Sequence, residues 1–94
     1  MLPRIESLTI DDHILEKIEV KHGIVFEEVE EICFSDRIHV RRSSKNLYKL
    51  FGQTVPGRYV LVVLVHIEGG LWKVVTARDM TESEKHLYTK KSGD

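Results

Sequence analysis

The sequence predicts an α+β domain in which two N-terminal helices precede a four-stranded antiparallel sheet and one C-terminal helix follows it. Apolar residues recur with a helical period up to residue 34 and with a strand-like period from residue 38. Short turns separate the strands, which makes neighbouring strands antiparallel. A capping pattern, Thr81-x-x-Glu84, opens the last helix. The 94 residues are predicted to form a single domain, with helices on one face or end of the sheet and the other face partly open.

The two N-terminal helices are predicted from their apolar stripes. Over residues 10–21 the stripe consists of Ile14, Leu15 and Ile18, and Gly23 ends the helix. Over residues 25–34 glutamates occupy one face, and the opposite face carries Phe26, Val29, Ile32 and Cys33. Cys33 is the one cysteine, so we expect a buried small hydrophobe rather than a nucleophile, in a reducing compartment.

Four strands are predicted over residues 38–41, 46–54, 59–67 and 71–76. The third is rich in valine and does not alternate, which is typical of a central strand buried on both faces. Turns are predicted at Val55-Pro56-Gly57 and Glu68-Gly69-Gly70. The last helix should end near Lys91, and residues 1–8 and 92–94 are expected to be frayed.

Charge and hydropathy narrow the class of protein. The net charge is −1 and the pI is about 6.5, so the whole chain lacks the basic balance usual in nucleic-acid binders. Five cations nevertheless fall in residues 37–49 without an acid among them: Arg37, Arg41, Arg42, Lys45 and Lys49. No secretory signal is recognisable, and the longest apolar stretch is too short for a membrane helix. We therefore expect a cytoplasmic protein that binds no membrane.

Three segments resemble the BrnT group of RelE-like ribonuclease toxins. They are residues 21–29 (KHGIVFEEV), 52–63 (GQTVPGRYVLVV) and 75–88 (VTARDMTESEKHLY). The resemblance implies a RelE-like fold and a type II toxin that cleaves RNA without a metal ion or other cofactor and so inhibits translation. It also implies a BrnA-like antitoxin that neutralises the toxin, with a homodimer or a heterotetramer containing antitoxin as the assembly. Trp72 is expected in the core or at the antitoxin contact.

Metal-independent RNA cleavage needs a base for the 2′-hydroxyl, an acid for the leaving 5′-oxygen and cations for the phosphorane. Arg78 is the first catalytic candidate, since the signature of the group places an arginine there; the alternative is an ion pair with Glu84 or Asp79. Arg58 is the second candidate. It would contact phosphate at the sheet edge, or be a solvated charge at a strand end.

His22 and Tyr88 complete the catalytic candidates. His22 is the acid–base candidate because histidine titrates near neutral pH, although a histidine before Gly23 also suits a helix C-terminus. Tyr88 shares a helix face with Glu84, where it would stack on a base or instead dock the helix onto the sheet.

The RNA-binding candidates are the cations Lys49, Arg41 and Arg42 together with Glu84. The histidines show no spacing typical of metal ligands, so no metal site is predicted. An alternative function is a protein-binding module without nuclease activity. The low pI favours it, as does Leu47, which stands where members of the group often carry an arginine. A small DNA- or RNA-binding adaptor is a weaker alternative.

Overall fold

The computed structural model describes residues 3–92 of the chain. Its elements follow one another in the order β1 (Ser7–Thr9), α1 (Asp12–His22), α2 (Phe26–Cys33), β2 (His39–Arg42), β3 (Leu47–Gln53), β4 (Tyr59–Glu68), β5 (Leu71–Asp79) and α3 (Glu82–Ser92). The two N-terminal helices, the four predicted strands and the C-terminal helix are all confirmed. The expected fraying of residues 1, 2, 93 and 94 falls outside the described residues, whereas Ser92, also expected to be frayed, is the last residue of α3.

The sheet has five strands and is mixed, which corrects the predicted four-stranded antiparallel sheet. Strands β2 to β5 form the expected antiparallel meander, but β1 pairs in parallel with β5 at the edge, giving the order β1-β5-β4-β3-β2. β1 lies within the segment expected to be frayed. Three residues are too few to show a period, and the strand is held by pairing with a distant element, including hydrogen bonds from the Glu6 and Ser7 amides to the Gly70 carbonyl.

The larger core lies between the sheet and helices α1 and α2. Ile18 of α1 and Ile32 of α2 are fully buried against Val62 and Trp72 of the central strands. Trp72 is thus a core residue, and its indole N–H donates to the Arg4 carbonyl. We call this side of the sheet the α1–α2 face.

The opposite side of the sheet is crossed by α3, and we call it the α3 face. A smaller core there contains Phe51, Leu61, Met80 and Tyr88. The prediction placed the helices on one face or end of the sheet, whereas the structure places α3 on the second face and covers part of it. The remainder of the α3 face is open, and it is where charged side chains of the central strands are found.

Local signals in the sequence match the observed helix ends. Gly23 adopts the left-handed conformation, with φ 64°, that ends α1. The Thr81 and Glu84 side chains each accept a hydrogen bond from the other residue's amide, at 3.2 and 2.9 Å, and so cap α3.

Burial raises the pKa of the Cys33 thiol to about 12, which fits an inert core residue. Among residues 3–92, no helix is long and apolar enough to cross a membrane.

Candidate functional site

A cleft of about 230 Å³ lies on the α3 face, between α3 and strands β2 and β3. Its walls combine two cations, two apolar side chains, a hydroxyl and a carboxylate: Arg41, Lys49, Phe51, Leu87, Ser83 and Glu84. Three of the four predicted RNA-binding residues therefore come together here.

The strand register brings the two cations side by side. Arg41 of β2 pairs directly with Lys49 of β3, so both side chains leave the sheet on the same face. Within residues 3–92, neither side chain forms a salt bridge or hydrogen bond. Two neighbouring cations without counter-charges raise the local positive potential and favour an anionic ligand.

Arg78 is bound to Glu84, a residue of the cleft wall. Its guanidinium donates two parallel hydrogen bonds to the Glu84 carboxylate, at 2.8 and 2.9 Å. This bond raises the pKa of Arg78 and lowers the pKa of Glu84. The predicted alternative of an ion pair with Glu84 is therefore present. Nη1 of Arg78 also donates to the Asp79 carbonyl at 3.0 Å. These bonds fix the direction of the guanidinium and leave the Nε–H group and one N–H of Nη2 for a further anion.

His39 lies on the same face of the sheet as the cleft. It was not among the site residues predicted from the sequence. It is two residues from Arg41 on β2, and its ring packs 5.7 Å from the Phe51 ring in the wall of the cleft. Burial lowers the pKa of His39, with the charges of Lys91 and Arg41 acting in the same direction. The alternation of β2 places His39 and Arg41 on one face, and this is the signal that would have found it.

Arg58 lies elsewhere, at a corner where α1, α2 and β5 meet. Its guanidinium binds both carboxylate oxygens of Asp79, at 2.7 and 3.1 Å, and one oxygen of Glu28, at 3.3 Å. It also donates to the carbonyls of His22 and Gly23, at 2.9 and 2.7 Å. We call this group the Arg58 corner. The guanidinium closes the C-terminus of α1 and is bound far more extensively than a solvated strand-end charge.

His22 belongs to the Arg58 corner and not to the cleft. Its carbonyl is a partner of Arg58, and its imidazole is near enough to Asp79 to help lower the pKa of that carboxyl, after the larger effect of Arg58. Arg58 and Arg78 both bind Asp79, Arg58 through the carboxylate and Arg78 through the carbonyl. The other partner of Arg78 is Glu84 in the wall of the cleft, whereas the other partners of Arg58 lie at the ends of α1 and α2.

Tyr88 and Arg42 also lie outside the cleft. Tyr88 is 6% exposed, and its hydroxyl donates to the Arg37 carbonyl at 2.8 Å, so it docks α3. Arg42 alternates with Arg41 along β2 and emerges on the other face. There its guanidinium binds carbonyls of the β2–β3 turn and lies 5.8 Å from the Tyr48 ring.

A second cavity, of about 640 Å³, lies on the other side of α3 between its C-terminal half, the end of α2 and the β3–β4 turn. We call it the α2–α3 cavity, and it is lined by Glu31, Ser35, Arg37, Gln53, Thr54, Val55, Tyr59, Tyr88 and Thr89. No pattern in the sequence indicated this cavity. In the described part of the chain, no group of three or more histidine, cysteine or acidic residues is arranged to hold a metal ion.

The fold and the cleft together define a small α+β protein with a cationic depression beside its last helix. No protein-family model and no curated protein matches the sequence. Among solved structures, the chain is similar to the crystal structure of the Brucella abortus ribonuclease toxin BrnT, with a TM-score of 0.66 at 14% sequence identity. The similarity covers 86% of this chain and 100% of that chain. At this identity the likeness shows a shared fold.

Proposed function

We propose that this protein is a ribonuclease toxin that cleaves RNA without a metal ion and so inhibits translation. The observation that carries the proposal is the pair of unpartnered cations, Arg41 and Lys49, in a cleft whose wall includes Glu84, the residue that orients Arg78. The fold that holds this cleft is similar to that of a ribonuclease toxin, which supports the same function.

The side chains around the cleft suit transesterification of RNA. The 2′-hydroxyl attacks the adjacent phosphorus while His39, whose lowered pKa favours its neutral form, accepts the hydroxyl proton. Arg41 and Arg78 stabilise the charge of the phosphorane. Lys49 protonates the leaving 5′-oxygen, since an ammonium group gives up a proton more readily than a guanidinium. The products are a 2′,3′-cyclic phosphate and a 5′-hydroxyl.

The proposal includes a protein partner. A toxin of this kind is neutralised by an antitoxin, and we propose a BrnA-like protein as this partner, acting in the cytoplasm, with a homodimer or a heterotetramer containing antitoxin as the assembly. Co-expression with the product of the neighbouring gene would reveal it as a complex that copurifies and as relief of growth arrest.

The deciding experiment compares RNA cleavage by the wild type with cleavage by a variant carrying both Arg41→Ala and Lys49→Ala. We expect the double variant to cleave at least about a hundredfold more slowly, because two phosphate-facing cations are lost. Wild-type cleavage should be unchanged by EDTA, and its products should carry 2′,3′-cyclic phosphates. The matched control removes two exposed cations of α1, Lys17 and Lys21, and should cleave at the wild-type rate.

A second candidate function, a protein-binding module without nuclease activity, is favoured by the bidentate pairing of Arg78 with Glu84, which already neutralises that arginine. Folded wild-type protein that cleaves no RNA and arrests no growth would support the module and refute the nuclease. Equal cleavage by the double variant and the control would place the active site outside the cleft.

A further inference from the structure

The α2–α3 cavity has the dimensions of a ligand site and is not used by the proposed cleavage reaction. Its volume of about 640 Å³ lies within the range of small-molecule pockets. Its polar groups come from three separate parts of the chain, namely the end of α2, the β3–β4 turn and α3. Such convergence lets several side chains contact one ligand from different sides.

Arg37 gives the cavity an available cation. Its backbone is fixed on both sides, since its amide donates to the Ser35 hydroxyl at 3.0 Å and its carbonyl accepts from Tyr88 at 2.8 Å. Its guanidinium, by contrast, has no hydrogen-bond or salt-bridge partner in the described part of the chain. An exposed guanidinium with unused donors on a fixed backbone suits a phosphate group, which it binds in a fork.

Glu31 gives the same cavity a carboxylate that does not pair with Arg37. One of its oxygens accepts the Val55 amide of the β3–β4 turn, which holds the side chain at the cavity wall. Within residues 3–92 the other oxygen has no protein donor, and the first keeps a second lone pair, so both oxygens can accept from a ligand. Guanine presents two adjacent donors, N1–H and the 2-amino group, that match a carboxylate, whereas the corresponding edge of adenine presents one donor and one acceptor.

Tyr59 and Gln53 give the cavity an aromatic ring and a hydrogen-bond acceptor, which suit a nucleobase. The Tyr59 ring meets the Tyr88 ring edge to face at 6.1 Å, which forms an aromatic wall. The Gln53 amide nitrogen donates to the Gly57 carbonyl at 3.3 Å, so its oxygen remains an acceptor. Proteins recognise unpaired RNA bases by this combination of aromatic contact and hydrogen bonds to the base edge.

We propose that the α2–α3 cavity binds one nucleotide of the RNA, with Arg37 on the phosphate and Glu31 selecting guanine. The inference rests on the proposed function, because it takes RNA as the substrate. The cavity and the cleft lie on opposite sides of α3, so a single strand that crosses this helix contacts both. The cavity then fixes which bond enters the cleft and gives the nuclease a preference for a guanine near the cleaved bond.

The test is an NMR titration of the purified protein with GMP, AMP and inorganic phosphate. We expect GMP to bind about tenfold more tightly than AMP, the discrimination usual for one bidentate base contact. The shifted amides should be those of Val55, Gln53 and Thr89. Inorganic phosphate should bind more weakly than either nucleotide, which separates base recognition from simple anion binding.

Two variants test separately whether Glu31 contacts the base and whether Arg37 contacts the phosphate. Glu31→Gln keeps an acceptor for the Val55 amide and should bring the affinity for GMP down to that for AMP. Arg37→Ala should lower the affinities for GMP and for AMP by the same factor. The control Glu30→Gln changes the neighbouring, exposed acid on α2 and should leave both affinities unchanged.

Equal binding of GMP and AMP by the wild type would overturn the inference, as would a GMP preference that survives Glu31→Gln or amide shifts confined to the cleft. The two proposals fail separately. RNA cleavage without selectivity for GMP would refute the nucleotide site and leave the nuclease intact. Selective GMP binding that depends on Glu31, in a protein that cleaves no RNA, would support the site and refute the nuclease.

Discussion

The Arg58 corner and the cleft contain the same types of residue and use them differently. Each has an arginine and a carboxylate, with His22 in the corner and His39 beside the cleft. At the corner, the Arg58 guanidinium makes five hydrogen bonds to four residues of three elements. In the cleft, Arg41 and Lys49 make none within residues 3–92. The charge of Arg58 is therefore paired within the protein and stabilises the fold, whereas the charges of Arg41 and Lys49 are available to bind a ligand.

The largest difference in cleavage rate should be between variants of His39, beside the cleft, and of His22, in the Arg58 corner. His39→Gln should lower the rate of RNA cleavage about a hundredfold, because general-base catalysis is lost. His22→Gln should leave the rate unchanged, since His22 belongs to the corner and its contact with Arg58 is made by the backbone. Both rates would be measured on one RNA at pH 7, with circular dichroism to confirm that each variant is folded.

The pH dependence of cleavage also distinguishes His39 from His22. The folded-state pKa of His39 is lowered from its ordinary value of 6.5, so the neutral, proton-accepting form predominates at pH 7. Wild-type cleavage should rise with pH and level off at a lower pH than a histidine of ordinary pKa would give, and the rise should disappear in His39→Gln. Loss of the rise in His22→Gln instead would assign the base to the Arg58 corner.

The next effect concerns stability at the corner. Arg58→Ala should reduce the free energy of unfolding by about 1–3 kcal/mol, because Asp79, Glu28 and two helix-end carbonyls lose their partner. The partial exposure of these groups keeps the loss moderate. The cleavage rate per folded molecule should not change. Urea denaturation would measure the first quantity and assays on the folded fraction the second.

An exposed arginine provides the matched control for Arg58. Arg4→Ala removes a weak surface contact to Glu6 at 3.9 Å and should change the unfolding free energy by less than about 0.5 kcal/mol. A fully stable Arg58→Ala variant that has lost cleavage would make Arg58 an active-site residue and erase the distinction between the two regions.

The sequence predicted the helices and strands better than it predicted which charged side chains lie together. The helices, the meander and the capping box follow from local periods and caps, and all are observed. β1 is held by pairing with a distant strand, so three residues carried no readable signal. Similarly, no local pattern shows whether a cation already has partners. Arg58 and Arg78 both stand in segments that resemble the toxin group, yet tertiary contacts alone place one at a corner and the other beside the cleft.

The smallest effect tests whether the cleft charge meets phosphate at all. Binding of a single-stranded RNA weakens with salt in proportion to the number of phosphates neutralised. Lys49→Ala should therefore make the plot of log affinity against log salt less steep by about 0.7. Its stability should stay within about 0.5 kcal/mol of the wild type, because the side chain has no partner to lose in the described part of the chain. Lys17→Ala, on exposed α1, should keep the wild-type slope. If Lys49→Ala also keeps it, the available charge of the cleft does not contact the RNA backbone, and the contrast with the Arg58 corner would be one of exposure rather than function.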